Sequence, residues 1–343
     1  MHIDMRMKIV VLTISVIAVM AIASFVSAPS KGTLIVYSAD AYAVESSYLL
    51  SSYSSAHNLA YTNPKTGGSF TLARQIAQGN PDDVFISVSK SAISPSYMGD
   101  MYPGWAIAFA SDQMTIAYAN SSSYSSAINT LLLLYKNATI SNSNLSWTGF
   151  FNYLTSGSLK LGISDPNSDP AGLRAWFMLE AAGLVYRNNA SYYVDRVLHN
   201  KENITSSSAA ELVAPLQSGQ IQVLFIYKSA AISLGLQRMD LPSMINLGDA
   251  SLSSFYSRLT WNTTSGLQKG GPILLFITVP KGSKNYNTAL DFVSYVVQQN
   301  SLLSKYGVQP LSPCIVFNST DLPSAIQSLV VGGKVILGGN LLS

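Results

Sequence analysis

The stretch "GISDPNSDPAGLRAWFMLEAAGL", residues 162–184, decides the fold because it joins a short apolar run to a helix through a loop of aspartate, proline and glycine. Pro170 suits the first position of a helix, and Gly172 lets a ligand approach the backbone. The helix behind the loop is predicted to be buried through Trp176, Leu179 and Leu184. Such a helix start presents backbone N–H groups that hold an anion without net charge. Asp169 has a second interpretation, since an aspartate before a helix also serves as its cap.

Strands and helices alternate along the rest of the chain. Residues 32–42 form a β-rich run that opens into helical spacing, and residues 82–89, 222–227 and 272–280 are typical of buried strands. Ser69 is placed to cap the second helix. This alternation predicts an α/β fold with mostly parallel sheets flanked by helices.

The length of 343 residues is enough for two lobes with cores of their own. Strand-like runs near residues 105–119 and 268–280 are the expected crossings between the lobes. Lobe one is therefore predicted to consist of residues 32–110 plus 272–343, and lobe two of residues 111–271.

Residues 1–28 are predicted to be a signal peptide or a membrane anchor. Arg6 and Lys8 precede a charge-free apolar run at residues 9–26, and small residues follow it as at a cleavage site. The run is also about long enough to span a bilayer. The chain is thus expected on the extracytoplasmic face of the cell membrane, anchored by this segment or secreted.

Seven Asn-x-Ser/Thr sequons fit a chain displayed outside the cell, at Asn120, Asn137, Asn144, Asn189, Asn203, Asn262 and Asn318. The alternative is chance, because asparagine, serine and threonine are frequent in this sequence.

Composition excludes several function classes. Charged residues make up 11% of the chain, the net charge is +3, and no Lys/Arg cluster is present, so nucleic acid is not an expected partner. A single cysteine, Cys314, excludes a disulfide framework and a zinc-thiolate site. His57 and His199 lie in polar stretches, and no nucleophile elbow or phosphate loop occurs. We therefore expect no enzyme, no cofactor and no resident metal site.

Three stretches in the same order, "GISDPNSDPAGLRA", "LQSGQIQVLFIYKSAA" and "LPSMINLGDASLSSFY", resemble the archaeal molybdate/tungstate-binding proteins of ABC transporters. The resemblance runs from about residue 33 to about residue 313. It implies a type II periplasmic-binding fold, with two α/β lobes joined by two crossing strands. It also implies that neutral dipoles hold tungstate or molybdate in the cleft, and that a monomer delivers the anion to a permease.

The resemblance assigns roles to individual residues. Ser87 matches a serine that donates to the oxyanion, and Asp169 matches an acidic residue that completes the coordination of the metal in the anion. Ala171 and Gly172 follow at the same helix start, and Tyr227 matches a tyrosine that closes over the anion.

Two departures from the family pattern concern the donors. Asp40 and Ala41 stand where the family has Gly-Ser, so Ala41 keeps a backbone N–H and a hydroxyl is lost unless Ser38 takes its place. An ionised Asp40 pointing inward would repel a dianion. Ala209 stands where a carboxylate is expected, with Glu211 two residues later. The predicted ligand-binding residues are Ser38, Ala41, Ser87, Asp169, Ala171, Gly172, Glu211 and Tyr227.

These departures keep two alternatives open. One is the same fold binding another small anion, such as sulfate or phosphate. The other is a surface glycoprotein with a vestigial cleft.

Overall fold

The computed structural model describes residues 33–119 and 125–342. The predicted signal peptide or anchor, residues 1–28, lies outside the described residues, as does the sequon at Asn120. Within the described ranges no helix is both long and apolar enough to cross a membrane.

The described residues form thirteen strands: β1 (Val36–Ala39), β2 (Lys65–Gly67), β3 (Val84–Ser87), β4 (Trp105–Ser111), β5 (Met114–Tyr118), β6 (Leu161–Gly162), β7 (Val223–Tyr227), β8 (Gln237–Asp240), β9 (Thr260–Thr263), β10 (Gly266–Lys269), β11 (Leu274–Thr278), β12 (Gln309–Asn318) and β13 (Val335–Gly339). A seven-stranded sheet has the order β13-β12-β4-β11-β3-β1-β2, and a four-stranded sheet has the order β6-β7-β5-β8. Strands β9 and β10 pair as a separate hairpin.

The α-helices of the described ranges are α1 (Ala43–His57), α2 (Ser69–Ala77), α3 (Pro95–Met98), α4 (Ser126–Ser141), α5 (Asn144–Leu154), α6 (Pro170–Arg187), α7 (Ser191–His199), α8 (Val213–Gln217), α9 (Lys228–Ser233), α10 (Ser243–Asn246), α11 (Ser253–Tyr256), α12 (Tyr286–Gln299) and α13 (Ser324–Val331). Short 3-10 turns include Asp40–Tyr42, directly after β1, and Ala210–Leu212, before α8.

The seven-stranded and the four-stranded sheet each contain both parallel and antiparallel strand pairs, whereas the sequence predicted mostly parallel sheets. Strand β1 runs parallel to β2 and β3, but β11 runs antiparallel to both of its neighbours, β3 and β4. The reason is the path of the chain. Strand β4 leads the chain out of the seven-stranded sheet and β11 brings it back, so the two adjacent strands run in opposite directions.

The two sheets are the cores of two lobes, so the two-lobed α/β architecture is confirmed. Lobe one is built on the seven-stranded sheet, whose strands come from both ends of the described chain, and lobe two on the four-stranded sheet. Strand β4 continues into β5 of the other sheet through Asp112 and Gln113. The residue boundaries given above for the two lobes stay a prediction.

Helix α6 shows why the quoted stretch folds as it does. Asp169 caps the helix, Pro170 occupies its first turn, and Asn188 ends it in the left-handed conformation, with φ of 50°. Most of its side chains are buried, among them Phe177 and Leu179.

The sequence predicted that Ser69 caps α2, and this prediction is wrong. Gly68 occupies the cap position, and the Ser69 hydroxyl accepts a hydrogen bond from the backbone N–H of Val88 at 3.3 Å. The long-range partner takes the place of the local one.

Candidate functional site

The predicted site residues meet where the two lobes face each other. Asp40 follows β1 and Ser87 ends β3 in lobe one, whereas Asp169 precedes α6 and Tyr227 ends β7 in lobe two. Ser87, Asp169 and Tyr227 are all buried. Several strand ends and one helix start thus converge on one place, and the binding roles of these residues stay a prediction.

Asp169 is held by backbone donors from two segments of lobe two. One carboxylate oxygen accepts the N–H of Ala171 at 3.0 Å, and the other accepts the N–H of Ala209 at 2.8 Å. Burial, and next the nearby charge of Asp40, raise the pKa of Asp169 to about 7. In this structure, Asp169 therefore acts as the cap of helix α6. The Ala171 N–H predicted to face a ligand is bound to Asp169 instead.

Asp40 faces lobe two from the turn after β1. Burial raises the pKa of Asp40, although hydrogen bonds from the Ser208 hydroxyl and the Ala41 N–H oppose the rise. The charge of Glu211 raises this pKa further. The charge of Asp40 in turn raises the pKa of Asp169, so ionisation of one carboxyl group opposes ionisation of the other.

Two predicted hydroxyl donors are engaged within lobe one. The Ser38 hydroxyl lies 2.6 Å from the Ser46 hydroxyl and donates to the carbonyl of Ala39 at 3.2 Å. The Ser87 hydroxyl donates to the carbonyl of Ser89 at 2.9 Å and accepts its N–H at 3.1 Å. The Ser38 hydroxyl is therefore hydrogen-bonded inside lobe one, and in this structure it does not take the place of the serine that the family has after its first strand.

Glu211 and Gly172 occupy different surroundings from the other predicted residues. Glu211 is exposed, and hydrogen bonds from the hydroxyls of Ser206 and Ser207 lower its pKa. Gly172 is buried, and a Cβ at this position would overlap the carbonyl oxygen of Ser164. Gly172 thus permits close packing of helix α6 on Ser164, in the segment that follows strand β6.

Some buried donors at this place have no hydrogen-bond partner among the described residues. They include the Tyr227 hydroxyl, Nε of Arg174 and the hydroxyl of Ser164 beside Gly172. Burial raises the pKa of Tyr227 far above its ordinary value, and the positive charge of Arg174 partly opposes that rise. The hydroxyl is therefore a neutral donor beside a guanidinium, which is suited to an anionic oxygen.

Arg174 also joins the lobes, and the sequence did not single it out. Its Nη2 donates to the carbonyl of Val88 in lobe one at 3.1 Å. A lone arginine on a helix usually indicates a solvated face, and only the tertiary fold brings it to residue 88. Its place at the fifth position of helix α6, close to the helix start singled out in the sequence, was the one signal available.

A second set of contacts joins the lobes at the crossing strand. Asp112 accepts hydrogen bonds from the hydroxyl of Tyr42 at 2.8 Å and from the hydroxyl of Ser229. Glu45 of α1 accepts the hydroxyl of Ser233 at 3.1 Å. Burial raises the pKa of Asp112 to about 6 and that of Glu45 to about 7. Sequence reasoning missed both carboxyl groups, since buried acids leave no periodic signal.

The donor set gives no sign of a resident metal. Residues 33–119 and 125–342 contain no group of three or more His, Cys, Asp or Glu side chains that could hold a metal ion.

The chain belongs to the family described as bacterial extracellular solute-binding protein, which matches residues 34–309. It is similar to an uncharacterized solute-binding protein of Sulfurisphaera tokodaii, with 36% identity over 92% of this chain and 85% of that protein. An uncharacterized solute-binding protein of Saccharolobus solfataricus is 35% identical over 91% of this chain and 79% of its own length.

Two solved structures show the same fold at low sequence identity. The periplasmic molybdate-binding protein of Azotobacter vinelandii has a TM-score of 0.56 and 16% identity, over 80% of this chain and 98% of that chain. The sulfate-binding protein SubI of Mycobacterium tuberculosis has a TM-score of 0.54 and 15% identity, over 90% of this chain and 94% of that chain. The protein is therefore a two-lobed extracytoplasmic solute-binding protein, and the expectation that it is not an enzyme is confirmed by its family.

Proposed function

We propose that the protein captures a small oxyanion between its lobes and delivers it to the permease of an ABC transporter. Tungstate and molybdate are the first candidates, because Asp169, Ala171, Gly172 and Tyr227 match the motif of the binding proteins that the sequence resembles. The observation that carries the proposal is the pair of buried donors without partners, the Tyr227 hydroxyl and Arg174 Nε.

An anion between these donors would satisfy both of them. Burial without a partner costs each donor free energy that a bound oxygen atom returns. Since Arg174 already contacts the carbonyl of Val88 in lobe one, a ligand held by Arg174 favours the closed arrangement of the lobes. We propose that the permease recognises the closed form and that the protein acts as a monomer, either anchored by residues 1–28 or secreted.

Sulfate or phosphate is the second candidate, and Asp40 favours it. A protonated Asp40 donates a hydrogen bond to an anion, whereas an ionised one repels it. Burial raises the pKa of Asp40, which favours its protonated form relative to an exposed aspartate. Binding that weakens as the pH rises through the Asp40 titration would identify this arrangement.

Thermal unfolding with each anion tests the proposal. The purified protein is heated with tungstate, molybdate, sulfate or phosphate at pH 5 and pH 7.5. A ligand at a hundred times its dissociation constant adds about 2.7 kcal/mol to the free energy of unfolding. We expect stabilisation by tungstate and molybdate. Stabilisation by sulfate or phosphate alone would support the second candidate, and no shift with any anion would favour a glycoprotein with a vestigial cleft.

A further inference from the structure

The hairpin of helices α4 and α5 exposes three large aliphatic side chains. Leu133, Ile140 and Leu145 are 60%, 74% and 82% exposed. Leu133 and Ile140 are seven residues apart and therefore lie on one face of α4. Clustered exposed apolar side chains in a soluble protein indicate a surface that something covers. We call Leu133, Ile140 and Leu145 the hairpin face.

Two sequons are interleaved with the hairpin face. Asn137 lies on α4 between Leu133 and Ile140, and Asn144 is the first residue of α5, next to Leu145. Both asparagines are exposed. Within the described residues, neither side-chain amide donates a hydrogen bond. The acceptor atom of each sequon is therefore free for a transferase.

We propose that Asn137 and Asn144 are N-glycosylated and that the attached glycans cover the hairpin face. The co-reactant is an oligosaccharide linked to a polyprenyl phosphate or diphosphate. Nδ2 of the asparagine forms a bond to the anomeric carbon of the first sugar as the bond from that carbon to the phosphate oxygen breaks. The lipid phosphate leaves, and an amide proton passes to a base of the transferase.

A glycan suits this surface for a physical reason. The sugar rings present C–H groups to the aliphatic side chains and hydroxyl groups to water. A bulky, solubilising group attached at position 137 lies one helical turn from both Leu133 and Ile140. The extracytoplasmic location of the family gives the chain access to such a transferase.

Two other sequons are matched controls within the same chain. Nδ2 of Asn203 donates to the carbonyl of Val197 at 3.0 Å, and Nδ2 of Asn318 donates to the carbonyl of Thr320 at 2.9 Å. Both residues are only half exposed. Because the fold occupies these amides, the folded protein is expected to leave Asn203 and Asn318 unmodified.

Peptide mass spectrometry of the full chain tests the proposal. The protein is produced in an archaeal host that N-glycosylates its surface proteins, and in a bacterial host without the transferase. We expect a glycan mass on the peptides of Asn137 and Asn144 in the archaeal host alone. Thr139→Val keeps Asn137 but removes the sequon hydroxyl, so it abolishes the mass at Asn137. Thr205→Val, in the sequon of Asn203, leaves the mass pattern unchanged.

Sedimentation and binding of an apolar-surface dye then test what covers the hairpin face. We expect the bacterial product to bind more dye than the glycosylated one, with Leu133→Ser and Ile140→Ser lowering that excess. Unmodified peptides at both Asn137 and Asn144 would overturn the proposal. Equal modification of Asn203 would also contradict it, as would a dimer that buries the hairpin face in both products.

Discussion

Tyr227 and Arg174 form a donor pair that the fold holds buried without giving either atom a partner. The hydroxyl of Tyr227 stays protonated because burial raises its pKa, and the guanidinium of Arg174 supplies cationic N–H donors. Most buried polar atoms in proteins are hydrogen-bonded, so the exceptions call for an explanation. The oxyanion that we propose as ligand would give both atoms a partner.

Tyr227→Phe should weaken anion binding without destabilising the empty protein. A hydrogen bond to a charged group contributes about 1.5–3 kcal/mol, so the dissociation constant should rise about tenfold to a hundredfold. Isothermal titration measures this change. Tyr193→Phe is the matched control, because the Tyr193 hydroxyl is also buried without a partner but its ring packs against Phe151 and Tyr192. Equal affinities of Tyr227→Phe and the parent protein would remove Tyr227 from the site.

Residue roles divide into those that sequence reveals and those that need the fold. The cap at Asp169 followed from the residues beside it in the chain, and its N–H partner at Ala171 is two residues away. The partner at Ala209 is forty residues away, and the contact from Arg174 to Val88 spans eighty-six. No local pattern contains these pairings, so Arg174 looked like an ordinary solvated arginine.

Helix α6 is the element that positions the site, and its start depends on Gly172. Gly172→Ala places a Cβ against the carbonyl oxygen of Ser164, and backbone atoms must move to accept it. We expect a loss of about 1–3 kcal/mol in the free energy of unfolding, together with weaker anion binding. Denaturant unfolding measures the first effect and titration the second.

Gly149→Ala provides the control for this change. Gly149 lies inside helix α5, where an added Cβ meets nothing within 4 Å. Because alanine favours a helix over glycine, stability should stay the same or rise by up to about 1 kcal/mol. If Gly172→Ala behaved like Gly149→Ala, the close packing of α6 on Ser164 would be wrong.

The positions of the strands were predicted better than the directions in which they run within the sheets. Alternating patterns located β1, β3, β4, β5, β7 and β11 because each is a short apolar run followed by polar or turn residues. The same patterns carry no sign of strand direction, which depends on where the chain crosses between lobes. Strand β6 is short, Leu161–Gly162, and among the described residues it pairs with β7 and, through an isolated bridge, with Ile204.

At the scale of the whole molecule, buried carboxyl groups at the contacts between the lobes link the stability of the fold to pH. Asp169 and Glu45 have pKa values of about 7, and Asp112 has a pKa of about 6. Each value lies above that of an unfolded carboxyl group, so between about pH 4 and pH 7 the folded protein binds more protons than the unfolded chain. The contribution of these groups to stability is therefore fully present at about pH 4 and is lost as the pH rises to about 7.

Glu45→Gln should flatten this pH dependence. A rise in the pKa of Glu45 from 4.5 to about 7 corresponds to about 3 kcal/mol between the ends of that window. Denaturant unfolding from pH 4.5 to pH 7.5 should show a smaller slope for the variant than for the parent. Glu202→Gln, an exposed residue paired with Lys160, should keep the parent slope. Parallel curves for Glu45→Gln and the parent would contradict a raised pKa at Glu45.

A crystal structure with the anion bound would show whether the Tyr227 hydroxyl and Arg174 Nε hold it between the lobes. The protein is crystallised with the anion that stabilises it most, and the anion is located in the electron density. We predict one anion between the lobes, within about 2.7–3.2 Å of the Tyr227 hydroxyl and Arg174 Nε. An anion bound elsewhere, with Tyr227 and Arg174 still lacking a partner, would contradict the account.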